Sequence, residues 1–252
     1  MFNLEATLFC GQTFVWQKDE SSYRGVINHR LVTLDVNEPF SKIVSDPFLR
    51  HYFDLEYPYE EAETHLAALD PALGALLNSH RSIHILNQDP WETTLSFITS
   101  QNNTIRRIRN LLNALRATYG KEVAPNHHAL PTANELLSGS TEDRLRALGF
   151  GYRAEYLLGA ARNVELLARV EDQEDEEALR ALQQIHGIGP KVASCILLFA
   201  YGRKDIFPLD TWTRRILSEY YPEEDPSFFS PYGGIAQQHL FYAERRKIGL
   251  HW

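Results

Sequence analysis

The chain has 252 residues, 44% hydrophobic and 23% charged. That is ordinary globular composition, enough for one large domain or two smaller ones. Its most apolar stretch, residues 195–202, is far too short to span a bilayer, and the residues after Met1 show no basic leader and no small-residue cleavage site. Cys10 and Cys195 form no CxxC pair, which speaks against a disulfide framework, a zinc knuckle or an iron–sulfur cluster. These features predict a cytoplasmic protein, with the nucleoid or the nucleus as its place according to the source.

The net charge of −8 argues against a nonspecific polyanion binder. The charge is segregated, however. Residues 170–177 hold six carboxylates in eight positions, whereas Arg106, Arg107 and Arg109 form one basic run and Arg144, Arg146 and Arg153 another. One basic face is enough to keep nucleic acid among the partners.

In chain order, ATLFCGQTFVWQ, SYRGVI and RLVTLDV are short, rich in β-branched and aromatic residues, and separated by polar turns. They predict a small antiparallel sheet. Helical period takes over from residue 46. QDPWETTLSFI carries a helix start, with Asp89 as N-cap, Pro90 in the first helical position and Glu92 closing a capping box. TIRRIRNLLNALRATYG places Ile105, Ile108, Leu111, Leu112 and Leu115 on one face and stops at Gly120. A helix runs from Thr141 to Gly149, and a longer one after Tyr152 turns Leu157, Leu158, Ala161 and Val164 inward. Further helices fit 175–184, 190–200, 211–220 and 232–246. His127–His128 falls in a loop-like stretch. The expected class is α+β, mostly α: an N-terminal antiparallel β-sheet domain with short helices over 1–75, packed on an all-helical body over 76–252.

LQQIHGIGPKVASCILLFA, 182–200, is the most informative segment. A helix ends near Ile185, Gly187 and Gly189 bracket Ile188 in a tight hairpin, and Pro190 opens the next helix. Glycines permit the turn and let the backbone approach a ligand. The free N–H groups at the helix start make a phosphate site. Lys191 lies in that first turn, where the helix dipole disfavours an ammonium; a lysine that sheds its proton can attack carbon and form a Schiff base. In an isolated hairpin such a lysine more often only touches phosphate. Asp210 shifts the balance: it follows Pro208, immediately precedes a helix and is 19 residues from Lys191. As an N-cap it accepts backbone N–H bonds and stays ionised, which suits stabilising an oxocarbenium cation at a sugar C1′. Taken alone, it would more commonly be a structural cap.

The Gly–Ile–Gly–Pro–Lys hairpin followed by Pro–Leu–Asp resembles the helix–hairpin–helix/GPD superfamily of DNA glycosylases, in which lysine plus aspartate marks the bifunctional glycosylase/lyases. GQTFVW at 11–16, QDPWETTLSFITSQNNTIRRI at 88–108, LGFGYRAEYL at 148–157 and PYGGIAQQHLF at 231–241 resemble the 8-oxoguanine DNA glycosylase family, in its order and over nearly the whole chain.

The resemblance implies a bifunctional enzyme that flips 8-oxoguanine out of duplex DNA, preferably opposite cytosine. Lys191 would attack C1′ and Asp210 would assist. Around the damaged base it implies the Gly11 carbonyl on N7–H, a sandwich between Cys195 and Phe241, and Gln237 on the Watson–Crick edge. Without it, simple core packing would be preferred for Cys195 and Phe241, and a strand-end turn for Gly11. On the other strand it implies Asn102 in the gap, Tyr152 as wedge, and Arg107 and Arg153 on the orphaned cytosine, with Gly187 and Gly189 on phosphates. It places a monovalent cation at the carbonyls of Gln183, Ile185 and Ile188. No cofactor or catalytic metal is required, and the ten histidines show no zinc spacing. The implied partner is double-stranded DNA containing oxidised guanine, bound by a monomer with no membrane. Trp212 and His186 depart from the eukaryotic members' histidine and proline. A glycosylase for another damaged base and a non-catalytic hairpin DNA-binding module are the alternatives.

Overall fold

A computed structural model describes residues 2–79 and 82–247. The sheet is three-stranded and antiparallel, Gln17–Lys18, Ser22–Ile27 and Arg30–Asp35 in that order. Asn28 and His29 both have positive φ (46° and 58°) and close the second hairpin, whose register pairs Ile27 with Arg30 and Tyr23 with Leu34. A two-residue turn of this hand matches the twist of the strands it joins. Trp16 is fully buried against Gly25, where an added Cβ would lie 3.0 Å from the indole, and its Nε1–H donates to Tyr52 Oη at 3.0 Å.

The rest is mainly helical, as expected, so the class is α+β with helix dominant. Most helices start where local signals put them. Thr104, Thr132 and Thr141 cap the helices Ile105–Tyr119, Ala133–Gly139 and Glu142–Ala147, and Gly120 ends the first of these. Ile108, Leu111, Leu112 and Leu115 are buried in the main hydrophobic core. A smaller core under the sheet joins Leu4, Leu8, Trp16, Leu34, Phe53 and Leu86.

Several expectations need correction. ATLF is not a strand but the end of the Leu4–Phe9 helix, capped by Asn3, whose side chain accepts the Ala6 N–H at 3.0 Å. Burial on nearly every side of this short helix erases the period that separates helix from strand. Helices also begin before residue 46, at Pro39. Asp89 does cap Pro90–Ser100, but Glu92 does not close a capping box: its Oε2 accepts the Asn28 N–H at 3.3 Å, from the sheet hairpin. His127–His128 is a short strand paired with Glu122–Ala124. The helix after Tyr152 ends at Arg162, so Val164 is the half-buried N-cap of the next helix, Glu165–Arg169. No helix among the described residues is long and apolar enough to cross a membrane.

Candidate active site and nucleic-acid interface

The hairpin forms between the helices Asp175–Leu182 and Pro190–Ala200. The Ile185 N–H donates to the Leu182 carbonyl and the Ile188 N–H to the Ile185 carbonyl. Both isoleucines are buried and anchor the turn in the core. Gly187 has φ 91°, and its carbonyl accepts the Gln101 side-chain N–H at 2.8 Å. Gly189 is the extended N-cap of the second helix, and a Cβ there would meet nothing within 4 Å. The turn is thus fixed from below while its backbone is open above.

Lys191, one step past Pro190, carries its ammonium 4.8 Å from the centroid of Phe97. Cys195 lies one helical turn on, and burial pushes its thiol up, with the Lys191 charge opposing. Asp210 is the N-cap of Thr211–Tyr220. Its Oδ1 accepts from the Trp212 and Thr213 N–H groups, each at 2.9 Å, and Thr213 Oγ1 accepts the Asp210 N–H at 2.8 Å. One oxygen is therefore held by the helix while the carboxylate borders a cavity of about 120 Å³ that Lys191 also lines.

Gly11 lies just beyond the end of the Leu4–Phe9 helix with φ 94°, a conformation that favours glycine. Gln12 pins it. Its Nε2 donates to the Thr7 and His84 carbonyls at 2.9 and 2.8 Å, its Oε1 accepts the Leu86 N–H at 2.8 Å, and its carbonyl accepts from Gln88 Nε2 at 2.8 Å. Gln237 and Phe241 come from the last described helix, Gly233–Lys247. Gln237 is buried, and its Oε1 accepts from Gln238 Nε2 at 2.6 Å. Lys191, Asp210, Gly11, Cys195, Gln237 and Phe241 all line the same cavity.

The remaining sequence candidates gather beside the hairpin. The backbone leaves the Pro90–Ser100 helix at Gln101 and turns at Asn102, φ 45°. The Gln101 carbonyl accepts from Arg153, through Nε at 3.0 Å and through Nη2, and from Tyr152 Oη at 3.4 Å. Arg153 Nη2 also reaches the Asn102 carbonyl at 3.0 Å. Arg153 is only 5% exposed, whereas Tyr152 is 45% exposed, with the guanidinium 4.5 Å from its ring centroid. Arg107 donates to the Gly149 carbonyl at 3.2 Å. Tyr152, Arg153 and Asn102 thus form one cluster, joined to the hairpin by Gln101, while Arg107 is held on Gly149; all four lie outside the cavity lining.

Two family models divide the chain: 8-oxoguanine DNA glycosylase, N-terminal domain, over residues 1–94, and HhH-GPD superfamily base excision DNA repair protein over residues 95–227. The chain belongs to the 8-oxoguanine DNA glycosylase family. The Arabidopsis thaliana N-glycosylase/DNA lyase OGG1 is 30% identical over 282 residues, 96% of this chain and 77% of the plant protein. The Saccharomyces cerevisiae N-glycosylase/DNA lyase is 35% identical over 195 residues, 70% of this chain and 49% of the yeast protein, so the match spans about half of the latter's length. The Clostridium acetobutylicum 8-oxoguanine glycosylase/lyase, solved with dsDNA containing cytosine opposite to 8-oxoG, superposes with a TM-score of 0.86 at 30% identity, covering 99% of this chain and 93% of that one. The chain is thus a member of an enzyme class, the N-glycosylase/DNA lyases of base excision DNA repair.

Within this family fold, four residues that sequence reasoning passed over take part in the site. Gln12 holds the Gly11 turn. Gln101 ties the hairpin to the Arg153 cluster. Gln238 and Arg245 line the cavity, the latter with its guanidinium 5.6 Å from the Phe241 ring centroid. Gln12 and Gln101 sit inside the family-like blocks, but their bonds span 72 and 86 residues, and no local pattern reports them. Trp212, the departure from the eukaryotic histidine, also lines the cavity, and His186 faces Glu155 at 3.4 Å.

Proposed function

We propose that this chain is a bifunctional glycosylase/lyase that removes 8-oxoguanine from duplex DNA, preferably opposite cytosine. The observation that carries the proposal is the convergence of Lys191 and Asp210, from different helix starts, with Gly11, Cys195, Gln237 and Phe241 around one cavity. An amine, a carboxylate and a base-sized set of polar and flat walls are what excision of a flipped base needs.

In this mechanism the hairpin N–H groups beyond Gly187 and Gly189 hold the phosphates, and the lesion enters the cavity. Phe241 and Cys195 cover its faces, Gln237 meets its Watson–Crick edge, and the Gly11 carbonyl accepts the N7–H that the oxidised purine alone carries. Lys191, its proton first passed to solvent, donates its nitrogen lone pair to C1′ as the glycosidic bond breaks, and the bonding pair leaves with the base. Asp210, fixed through Oδ1, offers negative charge to the cation developing at C1′. The adduct nitrogen then carries two protons: one goes to the departing base, and as the sugar ring opens the C1′–O4′ pair leaves with O4′, which takes a proton from solvent, giving the protonated imine. Removal of a C2′ proton then expels the 3′ phosphate by β-elimination. Across the duplex, Asn102 and Tyr152 fill the gap, and Arg153 and Arg107 address the cytosine, exchanging their present carbonyl partners for it. The carbonyls of Gln183, Ile185 and Ile188 would hold a monovalent cation, which would supply positive charge beside the phosphate.

Borohydride trapping tests the chemistry. Wild-type protein becomes covalently linked to 8-oxoguanine duplex, and Lys191→Gln does not. Trapping by Lys191→Gln would remove the lysine from its role, and failure of the wild type to cut any lesion would favour a DNA-binding module. Cleavage of duplexes carrying each of the four bases opposite the lesion measures the preference for cytosine.

A further inference from the structure

A second cleft, of about 410 Å³, opens between the three-stranded sheet and the C-terminal half of the Ile105–Tyr119 helix, with the His127–His128 strand beside it. It shares no lining residue with the base cavity. Val15, Val26 and Leu31 give it an apolar side. Gln17, Arg24, Asn113, Arg116, His127 and His128 give it hydrogen-bonding groups. No Asp or Glu lines it, in a chain with 33 acidic against 25 basic residues.

Arg116 is its unusual member. The residue is 7% exposed, and its Nε and Nη2 have no hydrogen-bond partner among the described residues. Burial disfavours its charge, yet an arginine keeps its proton in a protein. A buried guanidinium without a contacting counter-charge is strongly unfavourable. No surrounding carboxylate makes that contact among the described residues. Asp19 pairs with Arg24, and Glu122 accepts the Asn126 N–H at 3.0 Å. Glu92 forms no ion pair with Arg116 among the described residues; its Oε2 is turned to the Asn28 N–H, so its charge acts on Arg116 only at a distance.

We propose that this cleft is a binding site for a phosphate group, with Arg116 as the buried counter-charge, Arg24, Asn113 and His128 as donors around it, and the apolar sheet side against the body that carries the phosphate. The site stands on this cavity alone and does not depend on the glycosylase chemistry. Two sources supply such a group: a free phosphate, inorganic or on a mononucleotide, and the phosphodiester backbone of DNA reaching beyond the hairpin.

Asn113→Asp places a carboxylate in the cleft from an exposed helix position, and Arg116→Met removes the buried charge while keeping apolar bulk. Calorimetric titration of wild type and both variants uses inorganic phosphate, a deoxynucleoside monophosphate and an undamaged duplex in separate arms. The expected result is phosphate or duplex binding weakened about tenfold by Asn113→Asp and further by Arg116→Met, with base excision unchanged. Loss confined to phosphate and the mononucleotide identifies a free ligand, and a matching loss of duplex affinity identifies backbone phosphate. If Asn113→Asp binds all three ligands as the wild type does, the proposal is wrong. Should Arg116→Met fail to fold, Asn113→Asp decides alone.

Discussion

Gly187 and Gly189 make opposite demands on the hairpin, and alanine at each separates folding from grip. At Gly187 φ is 91°, and an added Cβ would lie 2.2 Å from Tyr156 Cγ, with two further Tyr156 atoms within 2.6 Å. The ring has little room to retreat, because it packs edge-on against Tyr152 and His186 with centroids 5.5 and 4.9 Å away. Left-handed backbone costs a non-glycine residue about 1–3 kcal/mol, and forcing a methyl into packed side chains adds about 1–3 kcal/mol. Gly187→Ala should therefore lose about 2–6 kcal/mol, which for a chain of this size lowers Tm by roughly 5–20 °C. At Gly189 φ is −86° and the space is empty. Ala for Gly at an N-cap costs about 1 kcal/mol, or roughly 2–4 °C. That methyl would nonetheless stand where a phosphate must approach the backbone N–H groups. Duplex affinity of Gly189→Ala should fall about tenfold, with a salt slope shallower by about one phosphate. Calorimetric melting and fluorescence anisotropy of an undamaged duplex across salt concentrations measure both. A Gly189→Ala protein that binds as the wild type does would refute the hairpin as the phosphate grip, and a Gly187→Ala protein melting within a degree of wild type would refute the steric account.

Asp210→Asn preserves an oxygen for the Trp212 and Thr213 N–H groups and should melt near wild type, yet excise at least about a hundredfold more slowly in single turnover; an unchanged rate would mean that the negative charge is not used. Arg153→Ala removes bonds to the Gln101 and Asn102 carbonyls and should cost about 2 kcal/mol together with discrimination for cytosine; lost stability with intact discrimination would make Arg153 a brace only. Glu92 has its carboxyl raised by burial to about 7 from 4.5, so the folded state binds the proton more tightly, and the stability this contributes is full below pH 4.5 and lost as pH rises through 7. Glu92→Gln should remove that loss, gaining up to about 3 kcal/mol over wild type at pH 8; equal urea midpoints at pH 8 would contradict it. Buried His84 runs the other way. Held down to about 4 from 6.5, it contributes stability present above pH 6.5 and lost as pH falls through 4, up to about 3 kcal/mol. His84→Asn should flatten the acid side of the urea-midpoint profile, and an unchanged slope between pH 4 and 6.5 would reject the assignment.

Helix starts and stops were legible because their signals are local: Asp89 with Pro90, Thr141, Gly120, and Gly189 with Pro190 act on backbone groups within a turn or so of themselves. The Leu4–Phe9 helix was not, because residues buried almost all round carry no period. Glu92 shows where local rules stop: the residue type fits a capping box, but the Asn28 N–H, 64 positions away, takes its carboxylate.

The same division runs through the candidate site. By itself the sequence singled out Lys191 and Asp210 as a candidate pair and placed each in its local setting. A lysine in the first turn after a glycine hairpin and an aspartate at the next N-cap are consequences of chain-neighbour geometry, and the family-like blocks supplied the pocket candidates. Only the tertiary structure decided that Gly11, Gln237 and Phe241, from opposite ends of the chain, line one cavity with Lys191 and Asp210. It also decided that Gln12 and Gln101 hold the turns in place, that Arg153 is buried on carbonyls and not a free surface charge, and that Arg116 lies beside a second cleft with no ion pair among the described residues. These outcomes depend on which buried polar groups find partners across long separations. That matching is set by packing, and no window along the sequence contains it.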